Sequence, residues 1–293
     1  MDTNREKWVL LMVLTLIWGS SFILIKKSLQ HFNPFEVGAL RILIASLVLM
    51  PIAIKHLKSF PAKQLKWVVV VALCGNFFPM FLFPIAETRI SSSIAGIINS
   101  MLPIFVIIVG PLLWGINSTK KQMIGVGISF VGACILMLAS KNEGGSIEII
   151  PILLLLLATV FYAINVTTVK AKLGSIPAKM LSAYVFSLVL FLPSLVSLAF
   201  AGFFTNFKAD ANFWEGLGFV SLLSVFGTGL AMMLNYRLVN ISTPLFSSSV
   251  TLLMPIVAVG WGIIDGETLN MIQVAGAVLI ISGLIFLRTG NIK

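Results

Sequence analysis

The side chains of this chain that are best suited to hold a small solute are amides, hydroxyls and aromatic donors standing inside long apolar stretches. They are Trp18, Ser21, Asn76, Asn99, Tyr162, Asn165, Asn235 and Thr251. A buried amide or indole N–H is costly unless it is hydrogen-bonded, so each must face another helix or a wet cavity. For any single one of these residues, a hydrogen bond to another helix explains its presence as well as contact with a solute does. The residues recur in six apolar stretches, however, and this recurrence favours a shared cavity. Because none is charged, they suit a neutral, zwitterionic or amphipathic solute better than a strongly anionic one.

The positions of the charged residues indicate which kinds of coupling the chain can use. The chain has ten Asp and Glu and two His, and none lies near the middle of an apolar stretch. Because proton-driven pumps usually place a carboxylate or His in the membrane interior, coupling through such a group is disfavoured. Glu87 either faces a vestibule or forms a rim residue beside Arg89. Arg41 is expected to extend outward beside Glu36, with its stem along apolar surface.

Enzymatic activity is not expected. Hydrolysis or group transfer needs clustered acids, bases and nucleophiles, and metal sites need grouped His, Cys or carboxylates. The sequence has neither kind of cluster and no GxxxxGK[ST] phosphate loop. Cys74 and Cys134 lie inside apolar stretches and predict no disulfide. We therefore expect no catalytic residue, no metal and no cofactor.

The elements that must position these residues are membrane spans. Hydrophobic residues make up 58% of the 293 residues and charged residues only 10%, and the mean hydropathy is +1.06. A span needs about 20 apolar residues. Spans are predicted at about 8–25, 36–54, 67–86, 91–114, 121–139, 148–169, 180–201, 214–238, 243–264 and 271–287. The fold class is therefore predicted as an all-α integral membrane protein with ten transmembrane helices.

The basic residues indicate topology. With the N-terminus inside, cytoplasmic segments hold fourteen of the twenty Lys and Arg, five lie on the opposite side, and Arg41 falls within a span. This bias predicts that both termini are cytoplasmic. The net charge of +10 then reflects membrane topology and does not indicate a nucleic-acid partner. The expected partners are a small-molecule solute and the lipid bilayer, with the oligomeric state open and a monomer plausible.

The chain also repeats itself. At a constant offset of 152, Gly96, Asn99, Pro103, Val106 and Gly110 match Ser248, Thr251, Pro255, Ala258 and Gly262. At an offset of 144, Trp18 matches Tyr162 and Lys26 matches Lys170. An odd number of spans in each copy inverts the second relative to the first, and inverted pairs are the usual plan of secondary transporters. The predicted repeats are residues 1–141 and 146–293.

The matching faces of spans four and nine have two interpretations. Small residues let helices pack closely in lipid, whereas Asn99 and Thr251 suit a cavity wall, and both can hold on adjoining sides of one helix. Proline interrupts the backbone ladder, so candidate hinge or gating positions are Pro51, Pro103, Pro193 and Pro255.

Short motifs along the whole chain resemble the EamA-type branch of the drug/metabolite transporter superfamily. They are Trp18–Gly19–Ser20–Ser21–Phe22, Ala39–Leu40–Arg41, Met254–Pro255–Ile256, Gly266–Glu267–Thr268–Leu269, and the spaced Gln273, Gly276 and Gly283. Each motif is weak alone, and their order on ten spans is specific. The first half departs from the pattern, because Gly115–Ile116–Asn117 stands where a Gly-Glu turn is expected.

The resemblance implies two inverted five-helix repeats, alternating access around a midplane cavity, and transport of amino acids, related metabolites or drugs, with export expected. It also implies a multi-pass protein of the cell (inner) membrane. Two alternatives stay open: a lipid or glycolipid flippase, which needs a side opening between helices, and a non-transporting accessory membrane subunit.

Overall fold

The fold is helical throughout the part of the chain that the computed structural model describes, which is residues 3–90, 92–138, 148–205, 210–264 and 271–288. These ranges contain α, π and 3-10 helices and no β strand. Each predicted span corresponds to a helix or to consecutive helical pieces, and one label, α1 to α10, is used for all pieces of a span. The Gly266–Leu269 turn lies outside the described residues.

The first five helices cover residues 3–138. They are α1 (Thr3–Gly19 and Ser21–Ser28), α2 (Pro34–Lys55), α3 (Leu65–Ala72, Leu73–Phe77 and Phe78–Glu87), α4 (Ser92–Asn99 and Leu102–Trp114) and α5 (Lys120–Leu138). The second five cover residues 149–288. They are α6 (Ile149–Thr168 and Val169–Leu173), α7 (Ala178–Ala183, Tyr184–Leu190 and Phe191–Phe200), α8 (Ala211–Ser224, Val225–Leu230 and Ala231–Ile241), α9 (Pro244–Ser248 and Val250–Ile264) and α10 (Met271–Arg288).

In the described ranges, eight helices are long and apolar enough to cross a membrane: α1 to α4 and α6 to α9. The apolar part of α10, Met271–Leu287, is shorter, and α5 begins with Lys120 and Lys121. The predicted all-helical membrane architecture is confirmed. The number of helices that meet this criterion is eight, compared with the ten spans predicted.

Local sequence explains where several helices begin and end. Asn33 caps α2 by accepting from the backbone N–H groups of Phe35 and Glu36, and the Glu36 side chain accepts from the Asn33 N–H, which is a capping box. Thr243 caps α9 by accepting from the N–H of Phe246. Helix α4 ends at Gly115, whose φ of 66° is left-handed, a conformation that glycine adopts without strain.

Four helices contain a π-helical segment, a feature that the sequence pattern did not reveal. The segments are Leu73–Phe77 in α3, Val169–Leu173 in α6, Tyr184–Leu190 in α7 and Val225–Leu230 in α8. A π segment frees backbone carbonyls from the regular helix ladder, and such segments occur frequently at functional sites. Helix α1 is interrupted at Ser20 and α4 at Ser100–Met101.

The predicted hinge prolines differ in their surroundings. Pro103 follows the break in α4, Pro193 follows the π segment of α7, and Pro255 lies inside the second piece of α9. Pro51 lies inside the continuous helix α2. A hinge role for any of them stays a prediction.

Most contacts between helices are preserved when the two sets of five are exchanged. Helix α3 packs on α6, as α8 packs on α1; α4 packs on α6, as α9 packs on α1; and α2 packs on α3, as α7 packs on α8. Corresponding helices also pack on each other, α2 on α7 and α5 on α10. The bundle therefore has the contact pattern expected of a pseudo-two-fold arrangement.

Helices α5 and α10 approach each other along glycines. Gly125 faces Gly283 and Gly132 faces Gly276, so the two helices run antiparallel. A methyl group built on Gly132 would lie 2.7 Å from the Gly276 carbonyl oxygen and 2.8 Å from the Ile280 nitrogen. This separation leaves no space for a side chain, as at other close helix contacts in membranes.

We expect Gly132→Ala to destabilise the protein by about 1–3 kcal/mol, because overpacking forces the two backbones apart. Gly127 on the same helix is a matched control, since a methyl group there meets nothing within 4 Å and alanine favours the helix. Thermal unfolding of the purified protein in detergent measures both variants. Equal stability of the two would contradict this account of the α5–α10 contact.

The bundle has two ends with different polar contacts. At one, named the Lys170 end, Arg237 donates to Glu6 at 2.8 and 3.1 Å, and the Lys170 ammonium group donates to carbonyls at the end of α8. At the other, named the His31 end, His31 Nδ1 lies 2.6 Å from Asn212 Oδ1. Arg89 at this end pairs with Glu148, at the start of α6, at 3.7 Å.

Candidate substrate cavity

A partly open cavity lies between the two sets of helices, and together with the open space at its mouth it contains about 780 Å³ that no atom occupies. Seven of the eight predicted contact residues line it: Trp18, Ser21, Asn99, Tyr162, Asn165, Asn235 and Thr251. They come from α1, α4, α6, α8 and α9. Much of the remaining wall is apolar and includes Phe22, Met80, Phe83, Met232 and Met254. Such a mixture of apolar wall and few polar groups is typical of small-molecule sites.

The indole of Trp18 is held by the opposite half of the chain. Trp18 Nε1 donates to the Gly227 carbonyl at 3.0 Å, and Gly227 lies in the π segment of α8. The sequence predicted that an indole so deep in a span needs a hydrogen-bond partner. It did not reveal that the partner is a backbone carbonyl in a π segment. The tryptophan is thereby fixed in the cavity wall.

Two glycines bring the walls of the cavity close together. A methyl group on Gly75, in the π segment of α3, would overlap the Asn165 amide of α6, and one on Gly227 would lie 2.9 Å from Ser21 Oγ of α1. Gly75 and Gly227 are separated by the repeat offset of 152, and Ser21 and Asn165 by the offset of 144. Each glycine therefore contacts a predicted site residue of the other half.

Two amide oxygens in the wall have no hydrogen-bond partner among the described residues. They are Oδ1 of Asn99 and Oδ1 of Asn165, and both are buried. Asn99 Nδ2 has only a weak contact of 3.7 Å to the Met254 sulfur. Buried polar groups are nearly always paired, so these amides are suited to accept N–H or O–H groups from a solute.

The other polar wall residues are already engaged. Asn235 Oδ1 accepts from Ser247 Oγ at 2.9 Å, and Thr251 Oγ1 donates to the Ser248 carbonyl at 2.9 Å. Ser247 and Ser248 also line the cavity. This side of the wall is pre-organised by hydrogen bonds within and between α8 and α9.

Asn76 is the predicted contact residue that does not line the cavity. Its side chain is 0% exposed, and its Nδ2 donates to the Tyr236 hydroxyl and to the Val71 carbonyl, both at 3.3 Å. Asn76 lies in the π segment that follows Val71, where the altered backbone leaves this carbonyl available. The residue links α3 to α8 behind the wall.

We expect Asn76→Ala to reduce stability by about 1–3 kcal/mol, because the buried Tyr236 hydroxyl loses its partner, and to leave the KM for transported solute unchanged. Asn99→Ala, by comparison, should raise KM. Thermal unfolding and transport kinetics in liposomes separate the two effects. A raised KM with unchanged stability for Asn76→Ala would place this residue in the site after all.

The expected outward orientation of Arg41 is wrong. The residue is 7% exposed, lines the cavity, and its Nε donates to Thr228 Oγ1 of α8 at 2.7 Å. Glu36, the expected neighbour, is used in the capping box with Asn33. The helix rotation that turns Arg41 inward is set by packing of α2 on α7 and α8, which span hydropathy does not encode.

Several wall residues were not identified from sequence as contacts. Gly75, Gly227, Ser247 and Ser248 line the cavity, and the 152 offset of the two glycines was a signal that could have found them. Arg41 and Ser247 could not be found in this way, because the residues at the corresponding positions of the other repeat are of a different type.

The described residues contain no group of three His, Cys, Asp or Glu that could hold a metal ion.

The same helical plan occurs in a solved structure that matches this one with a TM-score of 0.72 at 15% sequence identity, covering 96% of both chains. Among curated proteins, a probable amino-acid metabolite efflux pump of Salmonella typhimurium is 26% identical over 96% of this chain and 94% of its own length. The uncharacterized inner membrane transporter YedA of Escherichia coli K12 is 23% identical over 96% of this chain and 90% of its own length.

A family model describes nearly all of the sequence in two matches. The model of the EamA-like transporter family matches residues 6–138 and again residues 149–289. Together with the apolar helices and the cavity between them, this match identifies a multi-pass membrane transporter. The chain belongs to the EamA-like transporter family.

Proposed function

We propose that this chain is a secondary transporter that exports small metabolites, such as amino acids, related metabolites or drugs, by alternating access around the cavity. The observation that carries the proposal is the convergence of seven polar or aromatic residues from five helices on one cavity. Their unpaired amide oxygens and largely apolar surroundings fit a solute of mixed polarity. The Salmonella relative, named as a probable amino-acid metabolite efflux pump, supports this choice of solute.

The proposed mechanism depends on two inverted repeats, residues 1–141 and 146–293. Three observations support them: the exchangeable packing of the helices, the antiparallel contact of α5 with α10, and the two family matches. In such transporters one repeat rocks against the other around a fixed site near the midplane. The π segments and helix breaks provide places where the helices can bend.

We place the protein in the cell (inner) membrane with both termini in the cytoplasm. The distribution of Lys and Arg supports this orientation, and the name of the Escherichia coli relative supports the membrane. The Lys170 end of the bundle then faces the cytoplasm and the His31 end faces outward. Impermeant labelling of single cysteines at positions 26 and 170 tests this orientation, because labelling of both from one side would rule out inverted repeats.

Transport by the purified protein in liposomes tests the function itself. A panel of amino acids and common toxic metabolites is screened with and without a pH gradient, and lipid-linked sugars are added as competitors. We expect movement of at least one panel solute that lipid-linked sugars do not inhibit. Inhibition by these lipids would instead favour a flippase, and no movement of any solute would favour an accessory subunit.

The same assay tests the cavity. Trp18→Ala removes the bond to Gly227, and Asn99→Ala removes an unpaired amide, so each should lower transport at subsaturating solute by about tenfold, the equivalent of one lost hydrogen bond. Trp214→Ala is a matched control, since Trp214 is 60% exposed at the surface of α8. Unchanged transport in both cavity variants would contradict the assignment.

A further inference from the structure

The cavity contains one buried cation whose role is not explained by the fold. Arg41 is 7% exposed and lines the cavity. In the described ranges, the ion pairs join Arg89 to Glu148 and Arg237 to Glu6, so Arg41 has no carboxylate within 4 Å. Tyr162 and Glu87 interact with its charge at longer range. A charge removed from water costs several kcal/mol unless an opposite charge and hydrogen bonds compensate it.

The guanidinium is oriented but not saturated. Its Nε donates to Thr228 Oγ1 at 2.7 Å, and Thr228 lies in the π segment of α8. The Thr228 hydroxyl in turn donates to the Leu223 carbonyl at 3.3 Å, so the hydroxyl is itself oriented. Neither terminal nitrogen of Arg41 donates to a described residue. The planar fork of a guanidinium matches a carboxylate through two parallel hydrogen bonds.

We propose that Arg41, held by Thr228, is the subsite that binds a carboxylate of the transported solute. One guanidinium balances one negative charge, and Arg41 is the only Lys or Arg among the described wall residues. A monoanionic carboxylate therefore fits this cavity better than a phosphate dianion, which would need further cations. The apolar wall receives the rest of the solute.

This inference rests on the proposed function, since it names a chemical group that the exported solute carries. A bound carboxylate would give Arg41 the directly hydrogen-bonded counter-charge that no described carboxylate supplies within 4 Å. The site is asymmetric: Tyr184, which lies 143 residues after Arg41 in the second half, is fully buried and donates to the His56 carbonyl at 2.8 Å.

Matched pairs of solutes test the subsite. The probes are L-leucine with L-leucinamide, and 4-methylpentanoate with 4-methylpentanamide, measured as uptake into liposomes containing the wild-type protein. Each pair differs only in the carboxylate. We expect the KM of each carboxylate to be about tenfold or more below that of its amide, the effect of a charge-assisted hydrogen bond.

Variants at Arg41 and Thr228 test whether the Arg41 guanidinium causes the preference for carboxylates over amides. Arg41→Gln should remove the difference in KM between each carboxylate and its amide, both measured with this variant, which a purely structural role would not do. Arg41→Lys should retain part of the preference, and Thr228→Val should weaken it by releasing Nε. Glu87→Gln is the control, because Glu87 is the acid that interacts with the charge of Arg41. This variant should prefer carboxylates over amides as strongly as the wild type does.

The outcomes separate this inference from the proposed function. Transport of amides and carboxylates with equal KM by the wild-type protein would overturn the subsite and leave the transporter intact. Equal loss of preference in Glu87→Gln and Arg41→Gln would also overturn it, since the acid would then be the partner. If size-exclusion chromatography shows that Arg41→Gln does not fold, the subsite is tested by the preference of the wild-type protein for carboxylates and by its weakening in Thr228→Val. No transport of any solute would overturn both proposals.

Discussion

Gly75→Leu is expected to reduce transport to the background of empty liposomes. Gly75 lies in the π segment of α3, and even a methyl group there would overlap the amide of Asn165, with Nδ2 at 2.5 Å and Oδ1 at 2.7 Å. A leucine must either separate α3 from α6 or force Asn165 into the cavity. Both outcomes remove the space that a solute needs, so the effect exceeds that of losing one contact.

The control for Gly75→Leu is Gly218→Leu, in α8, because a methyl group on Gly218 meets nothing within 4 Å. This variant should transport as the wild type does. Undiminished transport by correctly folded Gly75→Leu would contradict the assignment of this wall to the solute cavity.

A double-mutant cycle identifies the cause of the Gly75 effect. Gly75→Ala alone should destabilise the protein by about 1–3 kcal/mol through overpacking, and the cost should fall when Asn165→Ala provides space. Residues in contact show such coupling, whereas distant ones add. Thermal unfolding of the two single variants and the double variant measures it, and strict additivity would show that Asn165 is not the obstacle.

Lys170→Met is expected to open the Lys170 end of the bundle and slow transport. The ammonium group donates to the carbonyls of Val239 at 3.2 Å, Asn240 at 3.0 Å and Ser242 at 2.6 Å. These carbonyls end α8, where a cation is also favoured by the helix dipole. A charge-assisted hydrogen bond contributes about 1.5–3 kcal/mol, so losing this cluster should shift the balance between open and closed states at this end by tenfold or more.

Labelling of a cavity cysteine measures that opening. Ser248→Cys, placed in a background in which Cys74 and Cys134 are replaced by alanine, reports access of an impermeant thiol reagent from the Lys170 end. We expect about tenfold faster labelling with Lys170→Met, together with a lower transport rate. Lys179→Met is the matched control, because Lys179 is exposed. Identical labelling of the two lysine variants would show that Lys170 does not close this end.

Hydropathy and residue type were sufficient to locate the long helices of the described residues and most of the polar residues that line the cavity. Apolar runs of about 20 residues have few alternatives to a membrane helix, so all ten predicted positions are helical within the described residues. Polar residues in lipid are costly, so their recurrence in apolar stretches indicated a cavity. Trp18, Asn99, Tyr162 and Asn165 line that cavity, and their contact with a solute stays a prediction.

Tertiary packing decided the details that hydropathy does not contain. Whether Asn76 or Arg41 faces the cavity depends on the rotation of α3 and α2 about their axes. In α3 the π segment changes that rotation by altering the number of residues per turn, and in α2 it is set by packing on α7 and α8. The partner of Trp18 is a carbonyl freed in one such segment, 209 residues away. The sequence by itself determined which segments enter the membrane and that polar groups gather between them. Only the tertiary structure decided which of those groups meet in the cavity, because the contacts join distant helices whose rotation is set by side-chain packing.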